Sequence, residues 1–223
     1  MASVSVAKAG GAGPGTLLFA CVAEHGSAAH PYFACEALIT GPESARNLAD
    51  AIHFLCALHG RHPGVVDLAT SRASDPPSRA WLSEAADAMV VERLCLTRLA
   101  VAAGPVPSTP GGAGSETAVI GQRSALSTLA QSDRRGCALG AALAFAADWV
   151  SIRRLLDAGA RRLSVDVPPC QLGNSGELQL VGDAAGEAPA AERAMLFGAQ
   201  QLSLQHRGLW DLLEARRQAR LEY

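Results

Sequence analysis

The chain contains few lysines, few aromatic residues and no excess of charge of either sign. Of its 223 residues only Lys8 is a lysine, 4% are aromatic, and 21 acidic residues balance 19 basic ones to a formal net charge of −2. Nucleic-acid binding normally requires a clear positive excess, so we predict no nucleic-acid partner. The use of arginine for nearly all positive charge, together with abundant alanine and glycine, favours a bacterial source.

The six cysteines include no Cys-x-x-Cys and no close pair. This spacing argues against a zinc site and against a disulfide framework. Most of the cysteines lie in apolar helical stretches, where a free thiol behaves as a small buried hydrophobic group. We therefore expect reduced thiols in a cytoplasmic protein.

The sequence also lacks a convincing export or membrane segment. Residues 1–15, rich in alanine, glycine and serine, are expected to be flexible, and the short apolar run from Leu17 to Ala23 is a poor match to a signal peptide. The longest apolar run is interrupted by Asp148 and falls short of the roughly 18 residues of a membrane span. With 49% hydrophobic residues, we predict one packed domain over residues 16–223 and no membrane association.

Motifs that carry nucleotide or acyl-transfer chemistry are missing from the sequence. It contains no P-loop, no Gly-x-Gly-x-x-Gly after a convincing strand and no Gly-x-Ser-x-Gly. These absences remove the usual support for a nucleotide-binding protein or an α/β-hydrolase.

Capping residues and hydrophobic periodicity predict an all-α fold, an antiparallel bundle of about five or six helices. Thr40-Gly-Pro-Glu43 is typical of a capping box that begins a helix at Pro42, and Asp75-Pro-Pro is typical of another helix start. Gly104 to Ser115 is rich in glycine and proline and predicts a loop, and Ser132-Asp133 predicts a break between two helices. The predicted helices cover about 42–59, 76–103, 115–129, 133–159 and 189–221.

Helical periodicity fails between Arg161 and Gly186. Leu163 to Val167 and Glu177 to Val181 alternate apolar and polar residues on either side of turn-forming residues. This pattern predicts a short non-helical insertion over 161–186, either a small β-hairpin or an ordered excursion.

The most informative feature is a trio of polar residues, Glu92, Asp148 and His206, on the apolar stripes of three long helices. Apolar residues spaced by three and four positions surround each of them, as on a helix face that points into a core. All three lie roughly 20 to 26 Å from the start of their helix, so neighbouring helices place them at one level. Buried charged groups need partners, so we expect the three side chains to have each other, an arginine, a water or a metal nearby.

Two interpretations of the trio stay open. The first is structural: the trio is a satisfied polar layer that sets helix register, or a set of side chains that lie at the stripe edge and reach solvent. The second is a functional site in the bundle core. Carboxylates and imidazole on facing helices are suitable ligands for iron, manganese or zinc.

Two carboxylate-bearing helices and one histidine-bearing helix in a long bundle resemble the ferritin-like superfamily, over about Pro42 to Leu221. The resemblance implies a core site in which Glu92, Asp148 and His206, joined by Asp50 and His53, bind iron or manganese. That family's di-metal proteins carry Glu-x-x-His on two helices, a motif this chain does not contain; Asp50-Ala-Ile-His53 is the nearest pattern. In this respect the sequence is similar to members that have lost the metal centre.

Other polar groups have plain interpretations. His59 and His62 lie where the first helix is predicted to end. Two histidines three positions apart can chelate a metal, but the end of a helix also favours a plain histidine cation, which is the interpretation we prefer. Arginines are densest at 134–135, 153–154, 161–162 and 216–220, where they complement helix ends as solvated side chains or bind a phosphate or an acidic partner.

The sequence as a whole predicts a non-catalytic binding or interaction protein without a cofactor. Its expected partner is a second copy, another protein or a small apolar ligand, approached through the alanine- and glycine-rich helix at 133–159. The alternative is a metal-dependent oxidoreductase of the ferritin-like type that uses iron or manganese.

Overall fold

The computed structural model describes residues 12–222, and every regular element within this range is helical. Eight α-helices are joined by loops and by two short 3₁₀ turns at Ser27–Ala29 and Glu36–Leu38. The helices are α1 Pro14–His25, α2 Ser44–His59, α3 Val65–Thr70, α4 Pro76–Ala102, α5 Gly112–Ala130, α6 Cys137–Leu163, α7 Ser175–Ala185 and α8 Pro189–Leu221. The all-α prediction is confirmed, with more helices than the five or six expected.

Capping residues and hydrophobic periodicity predicted most of the long helices close to their observed bounds, but they did not predict the short helices. Asp75 caps α4 as predicted, because its side chain accepts a hydrogen bond of 2.8 Å from the Ser78 amide. The predicted capping box at α2 is wrong, since the Thr40 hydroxyl donates to the carbonyl of Glu36 and Glu43 is the N-cap. α1, α3 and α7 have 12, 6 and 11 residues, too few turns for a stripe to stand out in the sequence.

The N-terminal prediction falls largely outside the described range. Residues 1–11 are not described, and α1 begins at Pro14, within the segment expected to be flexible. None of the helices between residues 12 and 222 is long and apolar enough to cross a membrane.

The three helices that carry the polar trio run parallel to one another, and this corrects the predicted antiparallel arrangement. Along α6 and α8 the contacts advance together: Gly140 lies against Met195 near the starts, and Asp148 against His206 farther along. The start of α4 likewise lies beside the start of α6, and farther along Glu92 reaches the α6 residue Trp149. α2 runs the other way, since its first turns contact the last turns of α8.

Parallel packing explains why residues 161–186 lose helical periodicity. α6 is about 40 Å long, so the chain must return over most of that length before α8 begins beside the start of α6. Residues 165–174 run back without regular structure, and α7 completes the return. The β-hairpin alternative is therefore wrong, and the insertion is non-helical only between α6 and α7. Glu177 to Val181, which alternate in sequence, lie in α7, where Leu178 and Val181 are buried on one face.

Small residues allow α6 and α8 to pack with their backbones in close contact. A Cβ atom at Gly140 would lie 2.0 Å from the carbonyl oxygen of Met195, and one at Gly198 would lie 2.1 Å from that of Cys137. The alanine- and glycine-rich face of α6 is therefore covered by α8 of the same chain. It is not the free binding face that the sequence suggested.

Candidate functional site

The stripes predicted to face the core do so on all three parallel helices. Glu92, Asp148 and His206 are 1%, 2% and 0% exposed, so none of them lies at a stripe edge in contact with solvent. Apolar residues surround them in one continuous core. Each of these polar groups must therefore find its partners inside the protein.

Asp148 and His206 are brought together directly, with a third residue that the sequence did not reveal. His206 Nδ1 lies 2.6 Å from Asp148 Oδ2, and Ser27 donates to the same carboxylate from its amide (2.8 Å) and its hydroxyl (2.5 Å). Ser27 begins the 3₁₀ turn after α1 and is fully buried. No motif marks Ser27, because only folding brings it close to α6.

The order of these three groups differs from that of a serine-hydrolase triad. In a triad the serine hydroxyl hydrogen-bonds to the histidine and the carboxylate supports that histidine from the other side. Here Asp148 stands between Ser27 and His206, so the hydroxyl is held by the carboxylate and is not activated by the imidazole. The cluster orders three segments of the chain and does not form a nucleophile.

Glu92 belongs to a different hydrogen-bond cluster. Its carboxylate accepts a bond of 2.9 Å from Trp149 Nε1 and pairs with the Arg153 guanidinium. Arg153 also bonds to Asp157 at 2.7 Å and to the carbonyl of Pro168. Asp148 and Trp149 are neighbours in sequence and point about 100° apart on the helix, which separates Glu92 from Asp148.

The two side chains that hold Glu92 were not predicted as its partners. Arg153 is 4% exposed, not a solvated helix end, and Trp149 is a hydrogen-bond donor as well as a packing group. The signal for Arg153 was its position beside the α6 stripe, next to Ile152, where a charged group needs a buried counterion.

His59 links the two clusters through the aromatic core. Its ring meets those of Trp149 and His206 edge-on, with centroids 5.7 and 5.0 Å away. Burial lowers the pKa of His59 well below its ordinary value, and the nearby His206 and Arg93 lower it further. The sequence predicted a histidine cation here, and the structure instead favours the neutral form.

We expect this histidine to make the protein less stable as the pH falls. Below about pH 6.5 the unfolded chain binds a proton at His59 that the folded protein binds only at lower pH, so the free energy of unfolding decreases on acidification. One such proton contributes at most about 1.4 kcal/mol per pH unit. Urea unfolding from pH 7 to 5 should show a shallower decrease for His59→Gln than for the wild type. Equal slopes for His59→Gln and the wild type would contradict the assignment.

Asp50 and His53 do not join the trio. Asp50 is buried and forms a two-point pair with Arg216, with contacts of 2.9 and 3.2 Å, and a second pair with Arg220. His53 Nε2 lies 2.7 Å from the carbonyl oxygen of Gly104, the residue that follows the C-cap of α4. The two residues face different neighbours although they are three positions apart.

The five residues predicted as metal ligands are thus distributed over separate clusters. Over residues 12–222, no three histidine, cysteine, aspartate or glutamate side chains are grouped so that they could hold a metal ion. Asp148 and His206 are the two predicted ligands in contact. The buried Nε2 atoms of His206 and His59 have no hydrogen-bond partner within this range.

A separate feature lies at the surface, in a groove between α2 and α5. The groove has a volume of about 390 Å³. Its apolar walls come from α2, α5 and the loop before α5, namely Phe54, Ala57, Val106, Val119 and Ile120. Three charged groups, Arg61, Glu116 and Arg123, complete the lining, and His53 closes one side.

Comparison with other proteins identifies the family to which the chain belongs. No curated protein and no solved structure matches the chain significantly. A family model described as a family of unknown function, DUF6975, matches residues 22–221. This match begins in the last turn of α1 and covers every later helix, so the chain belongs to the family DUF6975.

Proposed function

We propose that this protein is a non-catalytic binding protein that holds a small apolar carboxylic acid in the groove between α2 and α5. The observation that carries the proposal is an apolar groove with two arginines that form no ion pair with any residue in the range 12–222. Ligand sites typically have volumes of 300 to 1,000 Å³, apolar walls and a few placed polar groups. The groove, at about 390 Å³, fits this description.

The charges of the groove favour an acid over a neutral or basic ligand. Arg61 and Arg123 outnumber the single carboxylate of Glu116. A guanidinium binds a carboxylate through two parallel hydrogen bonds, which gives both affinity and orientation. The apolar tail of the ligand would then cover Val106 and Ile120, which are 46% and 54% exposed without it.

The hydrogen bonds of the buried carboxylates support a non-catalytic protein. Asp148, Glu92 and Asp50 each bind at least two donors of the same chain. These carboxylates stabilise the packing of helices. In the groove, Glu116 and His53 are the side chains that could act as a general acid or base, and His53 Nε2 already lies 2.7 Å from the carbonyl oxygen of Gly104.

Binding of decanoate to the purified full-length chain tests the proposal. We expect the double variant Arg61→Gln/Arg123→Gln to weaken decanoate binding at least tenfold, because each guanidinium contributes charge-assisted hydrogen bonds. Arg154→Gln, an exposed arginine of α6 outside the groove, is the matched control and should bind as the wild type does. Decanol should bind more weakly than decanoate. Absence of decanoate binding, or equal binding by the double variant, would overturn the proposal.

A ferritin-like metal-dependent oxidoreductase is the second candidate. It is supported by the buried, unpartnered Nε2 atoms of His59 and His206, whose rings lie 5.0 Å apart beside Asp148. Iron or manganese bound there would need Glu92 to leave Arg153, and the parallel course of α4, α6 and α8 differs from the antiparallel bundle on which the resemblance rests.

Native mass spectrometry of the freshly purified chain separates the two candidates and also reports its oligomeric state. The binding proposal expects a mass increment of an organic acid and no metal. Stoichiometric iron or manganese that is lost in His206→Ala would establish the second candidate and reject the first. A dimeric mass with an empty groove would instead favour self-association as the mode of binding.

We also propose a cellular location and a domain organisation for the protein. We place the protein in the cytoplasm of a bacterium, as one domain over residues 16–223; the free state of all six cysteines, which lie in the described range, supports a reducing compartment. Contacts between α6 and α8, between α2 and α8, and between α4 and α6 support a single helical bundle.

A further inference from the structure

A second cavity lies at the end of the molecule where α4 and α6 begin. It has a volume of about 390 Å³ and shares no lining residue with the groove between α2 and α5. Its walls come from the loop between α3 and α4, the loop between α5 and α6, and the first turns of both following helices. Two loops and two helix starts thus surround the cavity, and Ala185 at the end of α7 completes its lining.

Positive charge exceeds negative charge around this cavity. Arg72, Arg134 and Arg135 line it, against two carboxylates that are already engaged. Asp75 caps α4, and Asp133 pairs with Arg72. Arg134 lies over the ring of Phe197 at 5.3 Å, and Arg135 has no ion-pair partner in the part of the chain that the structure describes.

The start of α6 adds backbone donors to the same space. The N-cap of this 27-residue helix is Gly136, at φ +93°, and no side chain caps the first turn. Ala138 and Leu139, whose amides belong to that turn, line the cavity. Uncapped amides at a helix start carry a partial positive charge and favour an anion.

An unsatisfied hydroxyl provides an independent sign of a missing ligand. Ser78, in the first turn of α4, lines the cavity, and the residue is 1% exposed. Its buried Oγ has no hydrogen-bond partner among residues 12–222. Buried hydroxyl groups are normally satisfied, so a bound acceptor in the cavity would complete this one.

We infer that this cavity binds the phosphate group of a small phosphorylated molecule. Phosphate accepts hydrogen bonds from a serine hydroxyl, from helix-start amides and from arginine at the same time. The volume exceeds what a phosphate alone would fill, so an organic part of the ligand occupies the remainder. The site is independent of the groove between α2 and α5 and takes a different chemical group.

Ser78→Ala is the sharpest test because the hydroxyl has no partner in the ligand-free protein. We expect this variant to bind phenyl phosphate about tenfold more weakly, the loss of one hydrogen bond to a charged group, while its melting temperature without ligand is unchanged or higher. Arg135→Gln should also weaken binding about tenfold. Arg154→Gln, on α6 but outside the cavity, should leave the affinity unchanged.

Three ligands distinguish the possible sources of the phosphate group. Phenyl phosphate binding more tightly than inorganic phosphate supports a phosphorylated small molecule, and phenol should not bind. Inorganic phosphate binding as tightly as phenyl phosphate would assign the site to free phosphate and overturn the inferred ligand class. Absence of binding by either, or wild-type affinity in Ser78→Ala and Arg135→Gln, would overturn the site itself. Decanoate binding is measured separately, so neither proposal depends on the other's result.

Discussion

Replacing Gly198 by alanine is expected to lower the free energy of unfolding by about 3 kcal/mol or more. The added Cβ would lie 2.1 Å from the carbonyl oxygen of Cys137 and 3.0 Å from the amide nitrogen of Ala141, both backbone atoms of α6. No rotamer change can relieve a clash between two backbones, so α6 and α8 would have to move apart. Their separation would loosen the packing around Asp148 and His206, which join the same two helices.

Gly121→Ala is the matched control for this substitution. Gly121 is also in a helix, α5, but a Cβ there would have no atom within 4 Å. Alanine is the better helix former by about 1 kcal/mol, so this variant should be more stable than the wild type. Urea unfolding followed by circular dichroism should therefore give changes of opposite sign for the two substitutions. A neutral or stabilising effect of Gly198→Ala would contradict the close packing of α6 on α8.

Replacing Asp148 by alanine is the second large effect, a loss of about 3 to 5 kcal/mol. The carboxylate is 2% exposed and accepts from the amide and hydroxyl of Ser27 and from His206 Nδ1. Its removal leaves three buried donors without an acceptor and opens a cavity in the core. Asp148→Asn preserves the shape and one acceptor oxygen, so it should lose only about 1 to 3 kcal/mol and stay folded for measurement.

Asp87→Ala is the control for Asp148. Asp87 is an exposed residue of α4, and its replacement should change stability by less than about 0.5 kcal/mol. Urea midpoints at neutral pH give the order expected for the four proteins: wild type and Asp87→Ala together, then Asp148→Asn, then Asp148→Ala. Equal midpoints for Asp148→Ala and Asp87→Ala would show that the buried cluster does not contribute to folding.

The sequence correctly predicted that the polar trio is buried, but it did not predict the hydrogen-bond partners of the three side chains. Periodicity placed Glu92, Asp148 and His206 on core-facing stripes, and all three are buried. Their similar distances from the helix starts predicted that they lie at one level. This inference is valid because α4, α6 and α8 run in the same direction. Partner choice was not predictable, because Ser27 and His59 reach the cluster from segments 121 and 147 residues away from Asp148 and His206.

The connection between α6 and α8 shows why the sequence pattern at residues 161–186 predicted the wrong structure. A parallel pair of helices requires the chain to travel back along its own length, and that requirement is a property of the topology. Alternation of apolar and polar residues at Glu177 to Val181 is compatible with a strand and with one and a half turns of helix. Only packing of Leu178 and Val181 against the helices beneath selects the helix.

The helical class, most of the long helices and the burial of the polar trio were determined by the amino-acid sequence, because capping and periodicity are local properties. Helix direction, the partition of the trio into two clusters and the participation of Ser27, His59, Arg153 and Arg216 were decided by the tertiary structure. Those features depend on which helices meet, and contacts between distant segments leave no periodic signal in a single chain. A carboxylate on a core-facing stripe indicates that a partner is required, but the tertiary structure determines which residue that partner is.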